Sequence, residues 1–170
     1  MATACIFVIL PLCLALAAFT DLFEMTIPNR LSAILLIAFA VVAFLAGLTG
    51  TQVTSHVVAA ILVFAVCFCL FAANIMGGGD VKLLTASAIW FGLNLSLAMF
   101  LLYVAIFGGM LTVAVLLLRA KENIILAAGI PVPRLLLTAK KIPYGIAIAL
   151  GGFAAYPSSP LMQLAFAQLS

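Results

Sequence analysis

Two of the four carboxylates in the chain occupy positions that suit acid–base chemistry. Asp21 follows the first apolar stretch, and Asp80 precedes a later one. Two carboxylates held a few ångströms apart cannot both ionise readily, so they share one proton. One of them then acts as a general base on a water molecule while the other acts as a general acid. Such a pair can hydrolyse a peptide bond without a metal ion or a nucleophilic side chain.

Each acid also has a structural interpretation. An aspartate such as Asp21 commonly ends a membrane span at the water interface, because a charge inside the hydrocarbon is costly. Asp80 suits the cap of a helix that starts there, a role that does not exclude catalysis. Glu24 fits a solvated position in the polar turn after the first span. The predicted pair is therefore Asp21 and Asp80, without Glu24.

Three consecutive glycines, Gly77, Gly78 and Gly79, directly precede Asp80. In a helix interior each glycine costs about 1 kcal/mol relative to alanine, so the run needs another explanation. A glycine run lets the backbone approach closely or open beside the acid, as a protease requires when an extended substrate must reach it. A flexible loop is the alternative. A phosphate-binding loop is less compatible, because the full glycine patterns and a preceding strand are absent.

The composition excludes a soluble protein, because 68% of the residues are hydrophobic, 6% are charged and the mean hydropathy is +1.46. Residues 1–170 contain no linker, repeat or large polar region, which predicts a single membrane-embedded domain. A net charge of +3 on scattered residues does not suit nucleic-acid binding, and the lipid bilayer is the predicted partner. The cysteines lie in apolar segments without a CxxC pair, so neither a metal site nor a cofactor is predicted.

The apolar stretches predict an all-α integral membrane protein of about six transmembrane helices, of which helix four is short. A turn is predicted at Gly47–Ser55, because the apolar run around it is too long for a single crossing. The run Leu83–Leu118 fits either one long tilted helix or two helices broken at Phe91–Ser96, and a common side for the basic clusters favours the break. A short helix at the outer interface is expected in the tail after Tyr156. The predicted helices are Met1–Thr20, Leu31–Ala46, His56–Met76, Val81–Gly92, Leu95–Leu118 and Ile142–Tyr156.

Basic residues fix the predicted orientation. They occur at Arg30, at Lys82 and in the loop Arg119–Lys141. Basic residues near helix ends stay cytoplasmic, so all three clusters share that side and both termini are non-cytoplasmic. His56 then opens helix three on the outer side, as an interfacial residue too far from the acids to assist them. Glycine pairs such as Gly108–Gly109 and Gly151–Gly152 indicate close helix packing.

Three local patterns together resemble a known family: TDLFEMTIPNRLS at residues 20–32, MGGGDVKLL at 76–84 and KKIPYGIAIALGG at 140–152. The chain resembles the prepilin peptidases, membrane aspartic proteases of the GxGD class, and in particular their short form associated with Flp-type, tight-adherence pili. The resemblance implies that Asp21 and Asp80 are catalytic and that Gly77 and Gly79 are the fixed glycines of GxGD. The residues expected to shape the site or bind substrate are Gly77, Gly78, Gly79, Lys82, Glu24, Pro28 and Asn29.

The resemblance implies removal of a short basic leader from pilin-like precursors at the cytoplasmic face of the bacterial inner membrane. The family cuts just after a glycine, ahead of a hydrophobic segment. The implied partners are these precursors, the bilayer and other pilus-assembly components. Longer members carry a large loop with paired CxxC motifs and also methylate the new amino terminus; this chain lacks CxxC, so no methyltransferase activity is expected.

Two other functions stay open at the level of sequence. The chain could be a small membrane transporter that uses Asp21 and Asp80 as an ion site, or a non-enzymatic assembly factor for a pilus or secretion machine. A transport pathway needs polar residues along several spans, and the predicted helices two, three, five and six offer few. A protease that cuts other membrane helices is a third possibility, since GxGD also occurs there.

Overall fold

The computed structural model describes residues 2–121 and 142–168, and every regular element in these two ranges is helical. The predicted all-α class is confirmed. Most of the predicted loop Arg119–Lys141 lies outside the described residues. The elements are α1 (Ala2–Glu24), α2 (Asn29–Leu45), α3 (Gly50–Ala72), α4 (Gly78–Ala88), α5 (Leu95–Ala120), α6 (Tyr144–Ala155), a 3-10 turn (Tyr156–Ser158) and α7 (Pro160–Ala167).

The helices differ greatly in length. Within the described ranges, α1, α3 and α5 are long and apolar enough to cross a membrane, with 23, 23 and 26 residues. α2 is apolar but has 17 residues, while α4 has 11 and α6 has 12. At about 1.5 Å per residue, α4 is roughly 16 Å long, about half the thickness of the hydrocarbon core. The prediction of a short fourth helix is confirmed.

The two short helices form the centre of the bundle. α4 packs against α2, α3 and α6, and α6 packs against α1, α4 and α5. They run parallel to each other. Asp80 and Gly145 lie in their first turns, at one end of the bundle. Trp90 and Tyr156 follow their last residues at the other end, where the Trp90 and Tyr156 ring centroids are 6.5 Å apart. We call the end with Asp80 the acid end and the end with Trp90 the aromatic end.

Helices that are consecutive in the chain alternate in direction between these two ends. α1 starts at the aromatic end, where Tyr156 Oη donates to the Ile6 carbonyl at 2.8 Å, and finishes at the acid end with Asp21. α2 starts at the acid end and reaches the aromatic end, where Trp90 Nε1 donates to the Leu35 carbonyl at 3.1 Å. All formally charged side chains in the described ranges lie at or near the acid end: Asp21, Glu24, Arg30, Asp80, Lys82, Arg119 and Lys121.

The aromatic end is closed by stacked and edge-on rings. Phe91 stacks on Phe100 with centroids 4.5 Å apart and an interplanar angle of 7°, and Tyr156 meets Phe91 edge-on at 6.0 Å. Trp90, Phe91 and Phe100 are each fully buried. These large side chains fill the space beyond the end of α4, and the hydrogen bonds of Trp90 and Tyr156 satisfy their polar atoms.

The predicted turn at Gly47–Ser55 is too long, because α3 begins at Gly50. Thr49 caps this helix through a reciprocal arrangement: its side chain accepts from the Gln52 amide, and the Gln52 side chain accepts from the Thr49 amide at 2.8 Å. This capping box makes the hydroxylated residues after Gly50 helical. The prediction that His56 opens the helix was therefore wrong.

His56 also differs from the predicted interfacial residue, since it is only 4% exposed. Its Nδ1 lies 2.6 Å from the Ile89 carbonyl, and since a carbonyl only accepts, Nδ1 is the donor. Its ring lies 5.1 Å from that of Phe39. His56 is part of the closed aromatic end. The prediction that it is remote from the acids holds, because Ile89 and Asp80 lie at opposite ends of α4.

The fourth helix is shifted relative to the predicted Val81–Gly92. It starts at Gly78 and ends at Ala88, followed by a turn in which the Trp90 amide donates to the Ser87 carbonyl at 3.0 Å. Gly92 has φ +70°, a conformation that favours glycine and breaks the helix. The predicted break between helices four and five is confirmed.

The glycine pairs pack as predicted at three of four positions. A β-carbon at Gly108 would lie 2.7 Å from the Tyr144 ring, and one at Gly151 would lie 2.8 Å from the Val104 backbone nitrogen. A β-carbon at Gly152 would collide with Leu14. Gly109, by contrast, has no atom within 4 Å of that position. The small residues thus let α6 approach α1 and α5 closely.

Candidate active site

Asp21 lies in the last turn of α1 and is 6% exposed. Sequence analysis placed it just beyond the first helix, but α1 continues to Glu24, so the carboxylate lies inside the bundle. Its Oδ2 accepts a hydrogen bond of 2.6 Å from the Gly145 amide. Gly145 lies in the first turn of α6, where backbone N–H groups have no partner within the helix and the helix dipole is positive. The start of α6 therefore stabilises and orients this carboxylate.

The contact of Gly145 with Asp21 was not predicted from the sequence. A β-carbon there would lie 2.9 Å from Asp21 Oδ2 and 3.0 Å from Asp21 Cβ, so only glycine allows this approach. The chain enters α6 through buried Pro143, which stands at the N-cap position. The signal in the sequence was Pro143 and, two residues later, Gly145, at the start of an apolar run. This pattern marks the start of a helix but does not show that Asp21 is the partner of the Gly145 amide.

Asp80 lies in the first turn of α4 and is half-buried. Gly77 is the N-cap residue, and a β-carbon on it would lie 2.8 Å from Asp80 Oδ2. At Gly78 a β-carbon would lie 3.3 Å from the Phe71 ring, and at Gly79 it would lie 3.3 Å from Ile27 Cβ. Gly78 and Gly79 are helical, so the flexible-loop interpretation does not describe them. Close packing around the carboxylate explains the small residues.

The two aspartates line the same cavity, which we call the acid cavity. Its volume is about 250 Å³. It therefore brings together both predicted catalytic residues, although they come from distant parts of the chain. Its lining residues are Asp21, Met25, Thr26, Ile27, Asn29, Gly77, Gly78, Gly79, Asp80 and Ile142.

The other predicted site residues surround this cavity or lie outside it. Lys82 Nζ donates to Asn29 Oδ1 at 2.9 Å, which connects α4 to the start of α2. Pro28 is the N-cap residue of α2 and does not line the cavity. Glu24 is exposed, and its Oε2 accepts from Thr26 Oγ1 at 3.5 Å. Asn29 thus lies in the same cavity as the two acids and is hydrogen-bonded to Lys82, whereas Glu24 lies at the surface.

A second cavity of about 570 Å³ lies next to the first, and we call it the apolar cavity. It shares Gly77, Gly78, Asp80 and Ile142 with the acid cavity. The sequence did not predict this cavity, because its wall combines the end of α3 with the start of α6. Its lining residues are Leu70, Phe71, Asn74, Ile75, Met76, Gly77, Gly78, Asp80, Ile142 and Tyr144.

Chemically, the acid cavity offers two carboxylates, backbone amides and a side-chain amide. In the described ranges, no three His, Cys, Asp or Glu side chains are grouped closely enough to hold a metal ion. Carboxyl groups can accept and donate protons, so these groups suit acid–base chemistry. This set of groups is the one that the sequence predicts for acid–base hydrolysis.

The model of one protein family, described as the type IV leader peptidase family, matches residues 8–114. This match covers more than half of the chain and includes Asp21, the glycine run and Asp80. The chain belongs to the type IV leader peptidase family. Comparison with curated proteins gives no match, and neither does comparison with solved structures.

Membership in the leader peptidase family confirms the resemblance to prepilin peptidases that the sequence motifs indicated. Family membership also distinguishes between the functions that the sequence left open. It supports a leader-peptidase-type protease, and it supports neither a transporter nor a non-enzymatic assembly factor. The membrane-length helices agree with a membrane peptidase.

Proposed function

We propose that this leader peptidase removes the short basic leader from type IV pilin-like precursors and that Asp21 and Asp80 are its catalytic pair. The observation that carries the proposal is the acid cavity, which both carboxylates line. Asp80 comes from the first turn of α4, and Asp21 comes from the last turn of α1, where it accepts a hydrogen bond from the start of α6. The absence of a CxxC pair from residues 1–170 supports the Flp-type form without methyltransferase activity.

The proposed reaction needs one carboxylate ionised and the other protonated. The ionised acid accepts a proton from a water molecule while the water oxygen attacks the carbonyl carbon of the scissile peptide bond. The protonated acid then donates its proton to the amide nitrogen as the carbon–nitrogen bond breaks. The leader leaves with a new carboxyl group, and the mature precursor keeps a free amino group. The Gly145 amide holds Asp21 in one orientation throughout.

We further propose six membrane crossings, with the acid end on the cytoplasmic side of the inner membrane. The alternating directions of α1 to α6 support six crossings, and the collection of described charges at the acid end supports this orientation. The first and last described residues both lie at the aromatic end, where Thr3 Oγ1 donates to Gln168 Oε1 at 2.8 Å. Both termini would then be non-cytoplasmic.

Leader removal from a pilin precursor, measured by mass with purified enzyme in detergent, tests the proposal. Asp21→Asn and Asp80→Asn should each lower the rate by at least about 1,000-fold, because loss of an essential acid or base removes most of the acid–base contribution. Both variants should accumulate normally, since the neutral side chain has nearly the same shape. Glu24→Gln is the matched control and should keep most activity. Full cleavage by either aspartate variant would overturn the catalytic pair.

A further inference from the structure

The apolar cavity is lined largely by apolar side chains, which an acid–base reaction does not require. Side chains of Leu70, Phe71, Ile75 and Met76 make up much of its wall. The acid cavity, by contrast, adds the carboxylate of Asp21 and the polar side chains of Thr26 and Asn29 to a smaller apolar lining. Two adjoining cavities therefore offer a substrate two different environments.

The cavities meet at the reacting centre. Asp80 lines both of them, together with Gly77, Gly78 and Ile142. A polypeptide whose scissile bond lies against Asp80 would extend from one cavity into the other. The two sides of the bond would then be recognised separately.

We propose that the apolar cavity binds the first apolar residues on the carboxyl side of the scissile bond, with Phe71 and Ile75 setting the preference for them. This inference rests on the proposed function, in which a charged leader precedes an apolar segment. Burying a charged side chain without a partner is costly, whereas an apolar side chain gains free energy on leaving water. The lining thus fixes the direction of the substrate as well as its place.

The geometry of Phe71 and Ile75 suits this role. The Phe71 ring lies against Gly78, two residues before Asp80, so it is close to the reacting carboxylate. Ile75 is 74% exposed and lies at the rim of the cavity, where it has free surface to offer. The volume of about 570 Å³ falls within the roughly 300–1,000 Å³ of ordinary ligand pockets and has room for more than one side chain.

Phe68 provides a matched control. It lies one turn before Phe71 on the exposed face of α3, with ring centroids 6.3 Å apart, and it does not line the cavity. Both phenylalanines are about half exposed, at 51% and 46%. Removing either side chain should therefore disturb the fold equally little, and only Phe71→Ala should alter selection of the substrate.

The first experiment compares two precursors that differ only in having Leu or Ser directly after the cut. The native enzyme should prefer the Leu precursor in kcat/KM, and Phe71→Ala should reduce that preference roughly 10-fold, mainly through KM. Ile75→Ala should reduce it less, and Phe68→Ala should leave it unchanged. The inference is overturned if the native enzyme shows no preference or if the two phenylalanine variants behave alike. Cleavage by Asp80→Asn would instead overturn the proposed function.

The second experiment locates the substrate directly. A photoreactive benzoylphenylalanine is placed at position 75 in the Asp21→Asn enzyme, which should bind the precursor without cutting it. After illumination, mass spectrometry should find the crosslink on residues just after the uncut bond. Crosslinks confined to the leader would reverse the proposed direction, and crosslinks confined to lipid would show that the cavity faces only the bilayer; either result overturns the inference.

Discussion

The acid end and the aromatic end of α4 are packed in opposite ways. At the acid end, Asp80 borders two adjoining cavities of about 250 and 570 Å³. At the aromatic end, large rings fill the space, and the cavity beside His56 measures about 130 Å³. The short helix α4 thus has open cavities at its start and a tightly packed aromatic core at its end. The difference indicates that residues at the start of α4 serve the chemistry, whereas residues at its end stabilise the fold.

The sharpest test of this difference is labelling from the two sides of the membrane. Cysteines at Thr51 and Leu93, both exposed at the aromatic end, should react only with a reagent added outside the cell. A cysteine at Ile75, exposed at the acid end, should react only from inside. The background must lack the four native cysteines. Labelling of position 93 from inside would mean that α4 and α5 do not form two crossings.

A large effect on activity is expected from Gly145→Ala. The new methyl group would lie 2.9 Å from Asp21 Oδ2, so α6 or the carboxylate must move. Displacing a catalytic group by about an ångström can cost roughly 100-fold, and leader cleavage should fall by about that factor. Gly109→Ala is the control, because nothing lies within 4 Å of its added methyl group. Equal activity of the two variants would show that the start of α6 does not orient Asp21.

The aromatic end should respond in stability instead. Trp90→Ala removes a fully buried ring and should lower the free energy of unfolding by about 3–5 kcal/mol, measured as thermal stability in detergent. Trp90→Phe keeps most of the ring but removes the indole hydrogen bond to the Leu35 carbonyl, which should cost about 1 kcal/mol. The properly folded fraction should keep its cleavage rate. A Trp90→Phe enzyme that is stable but inactive would contradict the separation of the two ends.

The smallest effect is expected for Lys82→Met. This change removes the hydrogen bond to Asn29 but keeps a long apolar side chain. Because both residues are exposed, the loss should be about 1 kcal/mol or less in stability, with a correspondingly small decrease in cleavage. The cleavage rates of the native enzyme and of Lys82→Met, measured at two salt concentrations, would check this small effect. A loss as large as that of an aspartate variant would place Lys82 among the groups that contact substrate.

Sequence analysis predicted the features that depend on local composition. Apolar runs indicated the helices, and the distribution of basic residues favoured a break at Phe91–Ser96, where the structure has Gly92 with a positive φ and Asn94 at the N-cap of α5. The pairing of Asp21 with Asp80 followed from the predicted topology, and the structure brings both to one cavity. These inferences needed only helix length and the distribution of charge.

Features that depend on tertiary contacts were not predicted. No local pattern shows that the Gly145 amide reaches Asp21, because the two are joined only when α6 packs on α1. His56 was expected at an interface because a histidine beside an apolar run resembles a boundary residue, and its burial depends on the Ile89 carbonyl. The early start of α3 was different, since the Thr49 and Gln52 spacing of a capping box was present in the sequence.

The shortness of α4 and α6 has a consequence for the surrounding lipid. Both helices extend only about 16–18 Å, while the hydrocarbon core is about 30 Å thick. Neither helix spans this core, so the bilayer must deform locally for water and a polar leader to reach Asp21 and Asp80. Such deformation becomes more costly as acyl chains lengthen. Cleavage in reconstituted vesicles should therefore slow as the lipids are made longer, which couples this enzyme to the thickness of its membrane.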